Sequence, residues 1–161
     1  MAKLNWVNYN PLMHAHLDAW RFANPNIAKF ALSSDISAFI EKHKTDFLDS
    51  KVKVAYDGEN TVGFIGTGFC KEPFDGKHAS LCLPLVVINP ALSRQGYGRK
   101  MLNEVISNAE EIVGGEVESI SLSTHAENSA MNNLMQKLPF QKINLGKVSV
   151  YFMRCKGVEK L

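Results

Sequence analysis

Leu85-Val86-Val87-Ile88-Asn89-Pro90-Ala91-Leu92-Ser93-Arg94-Gln95-Gly96-Tyr97-Gly98-Arg99-Lys100-Met101-Leu102 is the stretch whose reading decides the fold. A buried strand feeds a short loop, and the loop runs into a helix. Gly96 and Gly98 sit where that helix begins, and glycine there lets a ligand approach the backbone with no Cβ in the way. The first N–H groups of a helix have no internal partner, and the macrodipole is positive at that end. Together these make an anion site, to which Arg94, Arg99 and Lys100 add three cations. The expected guest is a phosphate or pyrophosphate. A dinucleotide fingerprint needs a third glycine where Met101 stands, and a phosphate loop of the Walker type needs Gly-Lys-Ser/Thr, which is lacking.

Outward from this stretch, the pattern changes period twice. Upstream, Ala79 to Ile88 is continuously apolar and reads as a central strand buried on both faces. Pro84 lies inside it and has no N–H for a ladder bond, so a bulge and a gap in the sheet are expected there. Before it, Val52, Val54 and Tyr56 alternate with Lys51, Lys53 and Ala55. Asp57-Gly58 marks a turn, and a second strand runs from Thr61 to Phe69, thinned by Gly63, Gly66 and Gly68. Leu4 to Tyr9 reads as a short strand. Asn10-Pro11 reads as a helix start with Met13, Leu17 and Trp20 facing inward. Asn24-Pro25 stops that helix. Ser34 caps another, with Ile36, Phe39, Ile40, His43 and Phe47 on one stripe.

Downstream, Met101, Leu102, Val105, Ile106, Ala109, Ile112 and Val113 make one helix face that Gly114-Gly115 ends. Ser119 to Ser123 alternates as a half-buried strand. Asn128 caps a further helix with Met131, Leu134, Met135 and Leu138 inward, and a hairpin around Gly146 closes the chain. Helix and strand alternate in this half, so some neighbouring strands should be parallel.

The central segment resembles the acetyl-CoA-binding motif of the GNAT (Gcn5-related) N-acetyltransferase superfamily. That motif runs from a hydrophobic strand through hydrophobic-x-Pro and Arg/Gln-x-x-Gly-x-Gly/Ala into an amphipathic helix. Ile88-Asn89-Pro90 matches the strand end, and Gln95-Gly96-Tyr97-Gly98 matches the loop. Ser93 departs from the pattern's first Arg/Gln. A second family motif, Asn-x-x-Ala-x-x-x-Tyr-x-Lys-x-Gly-Phe, is similar to Asn128 through Phe140: Asn128, Lys137, Leu138 and Phe140 fall in register. Met131, Met135 and Pro139 replace its Ala, Tyr and Gly.

The resemblance implies an α/β (α+β) fold: one GNAT-like domain over residues 1–161. Its sheet should be mixed, mostly antiparallel and twisted, with about six or seven strands, about four flanking helices and a bulged central strand. It implies acetyl-CoA as co-substrate, held by the backbone of Val86, Val87 and Ile88 and by Arg94, Gln95, Gly96, Tyr97, Gly98, Arg99 and Asn128. The activity implied is direct transfer of an acetyl group to a primary amine of a small molecule or peptide. The family's acid position is Met135, and a thioether donates no proton. His125, Glu127 and His78 are the candidate bases; His125 leads because it lies just past a predicted strand end and near Asn128, and an unperturbed imidazole has a pKa near ~6.5. No residue pattern asks for a metal: His14 and His16, two apart on a helix, do not share a face. Two other readings stand beside this one. One is a GNAT-like acyl-CoA-binding module with little or no turnover. The other is an α/β domain for a different phosphate ligand.

Composition narrows the classes. Of the 161 residues, 45% are hydrophobic and 21% charged, which argues against wholesale disorder. Eighteen basic against sixteen acidic side chains leave +2, too little to suggest nucleic acid or a membrane surface as partner. Homodimers are common for domains of this size and family, so a homodimer stays open. The start of the chain has no apolar signal core, and Leu81 to Ile88 is too short to span a bilayer. Cys70, Cys82 and Cys155 are few and widely spaced, and read as reduced thiols. A cytoplasmic location is therefore expected. Among other residues, Trp6, Trp20, Phe22 and Phe30 read as core or as acceptor lining, and Tyr151 or Phe152 as a border of the acceptor cleft.

Overall fold

Among the described residues, seven strands form one sheet in the order β1-β2-β3-β4-β5-β7-β6. The coordinates are a computed structural model and describe residues 3–20, 48–71, 79–92 and 94–155. The strands are β1 (Asn5–Asn8), β2 (Leu48–Asp57), β3 (Asn60–Lys71), β4 (Ala79–Ile88), β5 (Ser119–His125), β6 (Gln141–Leu145) and β7 (Val148–Arg154). Every pairing is antiparallel except β4 with β5, which is parallel. The alternating second half therefore gives the parallel neighbour that its pattern calls for. Two α-helices stand among the described residues, α1 (Tyr97–Val113) and α2 (Ser129–Met135), against about four expected. The helix expected from Ser34, with the stripe from Ile36 to Phe47, lies outside the described residues, as do Phe22 and Phe30.

The apolar stripe of α1 packs on one face of the sheet. Met101, Leu102, Val105, Ala109, Ile112 and Val113 meet Ile65, Leu81, Leu83, Ile120 and Leu122 there. Met101 and Leu102 are wholly buried, and burial of such side chains stabilises by about 1.5–3 kcal/mol each. Gly114 closes the helix in the left-handed region (φ 75°), and its N–H donates to the Glu110 carbonyl. Lys51 Nζ donates to the Val113 carbonyl at 2.8 Å, placing a cation on the negative helix end. The opposite face carries Val52, Val54, Phe64, Leu85 and Val87, with Leu17 and Trp20 against them.

These face assignments locate the bulge. Leu81 and Leu83 belong to the helix-packed face, but Leu85 and Val87 belong to the other. An unbroken strand would keep all four on one face, because its side chains alternate strictly. Gly66 pairs with Leu85 and Gly68 with Cys82, so β4 carries an extra residue there, at Leu83-Pro84. The proline stands in the irregularity its missing N–H requires.

Two expectations change. Asn10-Pro11 does not open an α-helix: a turn leads to a short 3-10 helix at Ala15–Ala19. Asn10 Oδ1 does accept from the Leu12 and Met13 N–H groups, at 2.9 and 3.4 Å. Met13, expected inward, is 70% exposed, and His14 is buried instead. Its Nδ1 accepts from the Asn10 N–H at 2.8 Å, which locks the turn. The second change concerns the cysteines. Cys70 and Cys82 do not stand as separate thiols: their Cα atoms are 6.2 Å apart across β3 and β4, and their sulfurs are joined. Cys155 is free. Among the described residues, no helix is long and apolar enough to cross a membrane.

Candidate active site

The sheet forks where β4 and β5 meet. Only Leu81 with Ile120 and Cys82 with Ser121 are paired; past the bulge the two strands have no further partners in each other. Val86, Val87 and Ile88 pair with β3 alone, opposite Ile65, Phe64 and Gly63. Alternate residues of such an arm turn N–H and C=O groups toward the gap, where no strand among the described residues receives them. Gly63 allows the close packing behind this arm. A Cβ there would meet Met101 Sδ at 2.8 Å and the Ile88 Cα at 3.2 Å.

Asn89 fixes the end of the arm. Its N–H donates to the Val62 carbonyl and its Nδ2 to the Thr61 carbonyl, both at 2.8 Å. Its Oδ1 accepts from the Ala91 N–H at 2.9 Å. Sequence reading matched Asn89 to the motif but gave it no task. An Asn before a Pro is a turn signal, and it hinted at this one.

The turn that follows is exposed at Arg94, Gln95 and Gly96. Arg94 (φ 64°) and Gly96 (φ 84°) both have left-handed backbone. For Arg94 this conformation costs about 1–2 kcal/mol. Gly96 is the N-cap of α1 and no side chain caps the helix, so its first N–H groups face outward without a side-chain acceptor. Gly98 has a different reason for being glycine. A Cβ there would stand 3.1 Å from Leu134 Cδ2 and 3.6 Å from Ile88 Cγ1, so it seats α1 between α2 and β4.

The residues around the turn divide into anchored and open. The Tyr97 hydroxyl donates to Asp57 Oδ2 at 2.7 Å, tying the turn to the β2–β3 hairpin. That bond, with burial and the Asp57 charge, raises the phenol above its ordinary pKa. Lys100 is 3.1 Å from Glu104, so its charge is committed. Arg99 is exposed like Arg94. Ser93 and His78 lie outside the described residues.

His125 ends β5 opposite Val148, on the same strand face as Ser121 and Ser123, and is exposed. Four residues separate it from the fork's apex at Ser121, about 13 Å along a strand. Glu127 is exposed in the next loop. Asn128 caps α2, its Oδ1 accepting from the Met131 N–H at 3.2 Å. Asn132, which sequence reading passed over, organises this loop. Its Nδ2 donates to the carbonyls of His125, Ala126 and Asn128 at 3.0, 3.4 and 2.8 Å. Its Oδ1 accepts from the Tyr151 hydroxyl at 2.6 Å. Tyr151 is thus a core residue, its phenol raised by burial, and not a border of the cleft. Met135 is wholly buried in the main core.

At the apex lies a cleft of about 400 Å³, with Cys70, Lys71, Cys82, Pro84, Ser121 and Ser123 on its walls. Val150, rather than Tyr151 or Phe152, is the β7 residue that borders it. No carboxylate or imidazole stands among the described residues lining it. Trp6 and Trp20 are placed elsewhere: Trp6 Nε1 donates to Glu104 and Trp20 packs on Phe64. His14 and His16 have separate partners, Asn10 and Thr61.

The pattern of the Acetyltransferase (GNAT) family matches residues 10–140. The chain belongs to the GNAT acetyltransferase family. This GNAT chain also has the family's fold among solved structures. It superposes on an aminoglycoside N(6')acetyltransferase from Legionella pneumophila subsp. pneumophila str. Philadelphia 1 with a TM-score of 0.70 and 16% identity, covering 99% of this chain and 97% of that one. A spermidine N-acetyltransferase from Vibrio cholerae, solved with CoA and spermine, gives a TM-score of 0.65 and 17% identity over 94% and 95% of the two chains. The ribosomal-protein-S18-alanine N-acetyltransferase from Escherichia coli gives 0.63 and 17% over 98% of each. No curated protein matches this GNAT chain in sequence.

Proposed function

We propose that this GNAT chain is an acetyl-CoA-dependent N-acetyltransferase that moves an acetyl group directly to a primary amine of a small molecule or peptide. The observation that carries the reading is the fork: a β4 arm with no β5 partner leads from the apical cleft to an exposed helix start with no side-chain cap. An extended chain ending in a diphosphate fits that path, with amide groups along the arm and N–H groups and two open arginines at its end.

Bound acetyl-CoA supplies an acyl group already activated as a thioester. The chain's own residues then do three things. Val86, Val87 and Ile88 offer backbone groups that hold the extended arm of the ligand in register. Gln95, Gly96, Tyr97 and Gly98 shape the turn, and Arg94 and Arg99 balance its charge, while Asn128 holds the loop that faces it. A β4 N–H near the bulge polarises the reacting carbonyl; such a donor is worth ~2.7–4 kcal/mol in other acyl-transfer sites. Alignment in the cleft supplies more, up to ~7–11 kcal/mol for well-oriented partners.

Proton transfer is the less developed part of the site. Met135 is buried, and His125 and Glu127 stand at the open end of the fork, so we propose that solvent in the cleft takes the amine's proton. The same observation favours the second reading, a CoA-binding module with little turnover. The amine acceptors in the names of the neighbours, an aminoglycoside, spermidine and a ribosomal-protein alanine, support the acceptor class. The separating experiment is release of free thiol from acetyl-CoA with a panel of aminoglycosides, polyamines, amino acids and N-terminal peptides. Amine-dependent release is expected with at least one class. Tight coenzyme binding without release from any would establish the module instead.

A further inference from the structure

β3 and β4 bring two cysteines to one wall of the cleft. Gly68 pairs with Cys82 and Cys70 with Ser80, so the cysteines are diagonal neighbours on one face of the sheet. Their Cα separation of 6.2 Å lies inside the range a disulfide spans, and the sulfurs are joined. Both residues line the cleft, with Cys82 buried and Cys70 half-buried, so cleft solvent reaches the pair at Cys70. Its surroundings suit thiol chemistry. Ser80 Oγ donates to Ser121 Oγ at 3.2 Å, which leaves the Ser121 proton free for sulfur. Ser121 Oγ is 3.2 Å from Cys82 Sγ and 3.7 Å from Cys70 Sγ. The Ser121 hydroxyl thus stands as a hydrogen-bond donor beside both sulfurs.

The position matters as much as the chemistry. Cys82 is the last β4 residue paired with β5 before the fork, and Leu83-Pro84, the bulge, follows at once. Bonded sulfurs sit well inside van der Waals contact, and two free thiols do not. Reduction therefore pushes at least one side chain outward. The sheet lies behind the pair and the cleft in front, so the displaced sulfur enters the cleft.

We infer that Cys70 and Cys82 are a thiol-modification site: a reversible dithiol–disulfide couple that exchanges with disulfides of the glutathione type and sets the width of the cleft. One cysteine thiolate attacks a glutathione disulfide and expels a glutathione thiolate, leaving a mixed disulfide. The second cysteine, deprotonated in turn, attacks that mixed disulfide at the protein sulfur and expels the second glutathione thiolate. The protein loses two electrons and two protons, and one glutathione disulfide becomes two thiols. The effect on turnover rests on the acetyltransferase reading above; the thiol chemistry does not.

The test uses the full chain equilibrated at a series of ratios of reduced to oxidised glutathione. Samples are quenched in acid, unfolded in an alkylating reagent and read by mass spectrometry. Cys155, outside the disulfide, is the internal reference and is expected to alkylate throughout once the chain is unfolded. Cys70 and Cys82 should lose alkylation together, in one transition, with a chain two hydrogens lighter. Cys82→Ala should leave Cys70 trapped as a mixed disulfide with glutathione. Alkylation of both at every ratio, or glutathione on each independently in the unaltered chain, would overturn the couple. With an accepted amine, reduction should raise the acceptor KM about fivefold and leave the coenzyme Kd unchanged. The Cys70→Ser, Cys82→Ala double variant should show no dependence on the ratio. A KM indifferent to reduction in the unaltered chain would overturn control of the cleft. If no amine is acetylated in either state, the acetyltransferase reading fails, and the alkylation pattern still decides the site.

Discussion

Glu104 shows how a charge is kept in the core of this protein. It lies on the buried side of α1 and is only 6% exposed. Burial alone would raise its carboxyl. The Leu4 N–H at 2.9 Å, the Trp6 indole at 3.0 Å and Lys100 together outweigh burial and bring it below its ordinary pKa. A carboxyl depressed on folding contributes stability above its unfolded pKa, about 4.3, and loses it as pH falls through the folded value. Unfolding free energy measured against pH should therefore decline on the acid side of about pH 4.5, and Glu104→Gln should flatten that decline. Parallel profiles for the two proteins would remove Glu104 from the account of acid stability. Of these partners only Lys100, an i,i+4 neighbour, is near in the sequence; Leu4 and Trp6 lie 100 and 98 residues away, so the assembled site was not legible there. Met135 is the reverse case. Its substitution for the family's tyrosine is plain in the sequence, and only the structure shows that the position is filled core.

At the scale of elements, the turn from Arg94 to Gly98 uses its two glycines for different reasons. Gly96 supplies a left-handed backbone, whereas Gly98 supplies room beside Leu134. Gly96→Ala should destabilise by about 1–2 kcal/mol, since a Cβ is costly at positive φ. At Gly98→Ala the one tight contact is the end of a flexible leucine, Ile88 lies at ordinary contact distance, and alanine is the better helix former, so its change should stay within about 0.5 kcal/mol. Urea denaturation of the two variants checks the ranking, and a larger loss at Gly98 would reverse the assignment. Element identities were well marked in the sequence where periodicity was long: β4 spans Ala79–Ile88 as its apolar run indicates, and Asn128 caps α2. Pro84 signalled the bulge through its missing N–H. The first turn was misread because Met13, Leu17 and Trp20 keep a helical spacing while the Asn10–His14 bond pulls the chain into a tighter path. The cysteine pair was invisible because it depends on the register of β3 against β4, and one residue of slip would place the two on opposite faces.

At the scale of the whole molecule, β7 inserts between β5 and β6, so the last strand of the sheet backs the β5 arm of the fork and β6 forms the edge. The sheet thus surrounds a place where β4 and β5 part after two paired residues, with α1 beginning at the open end. The alternation of helix and strand announces one parallel neighbour, but not that this pairing would be so short. Under the function proposed above, the bulge, the β4 arm without a β5 partner and the uncapped helix start share one use, a coenzyme lying along the gap with its diphosphate at Gly96. Calorimetric titration of the intact chain with coenzyme A measures that use without requiring an acceptor. A saturable heat of binding, competed away by acetyl-CoA, is expected; no heat at millimolar coenzyme would contradict it.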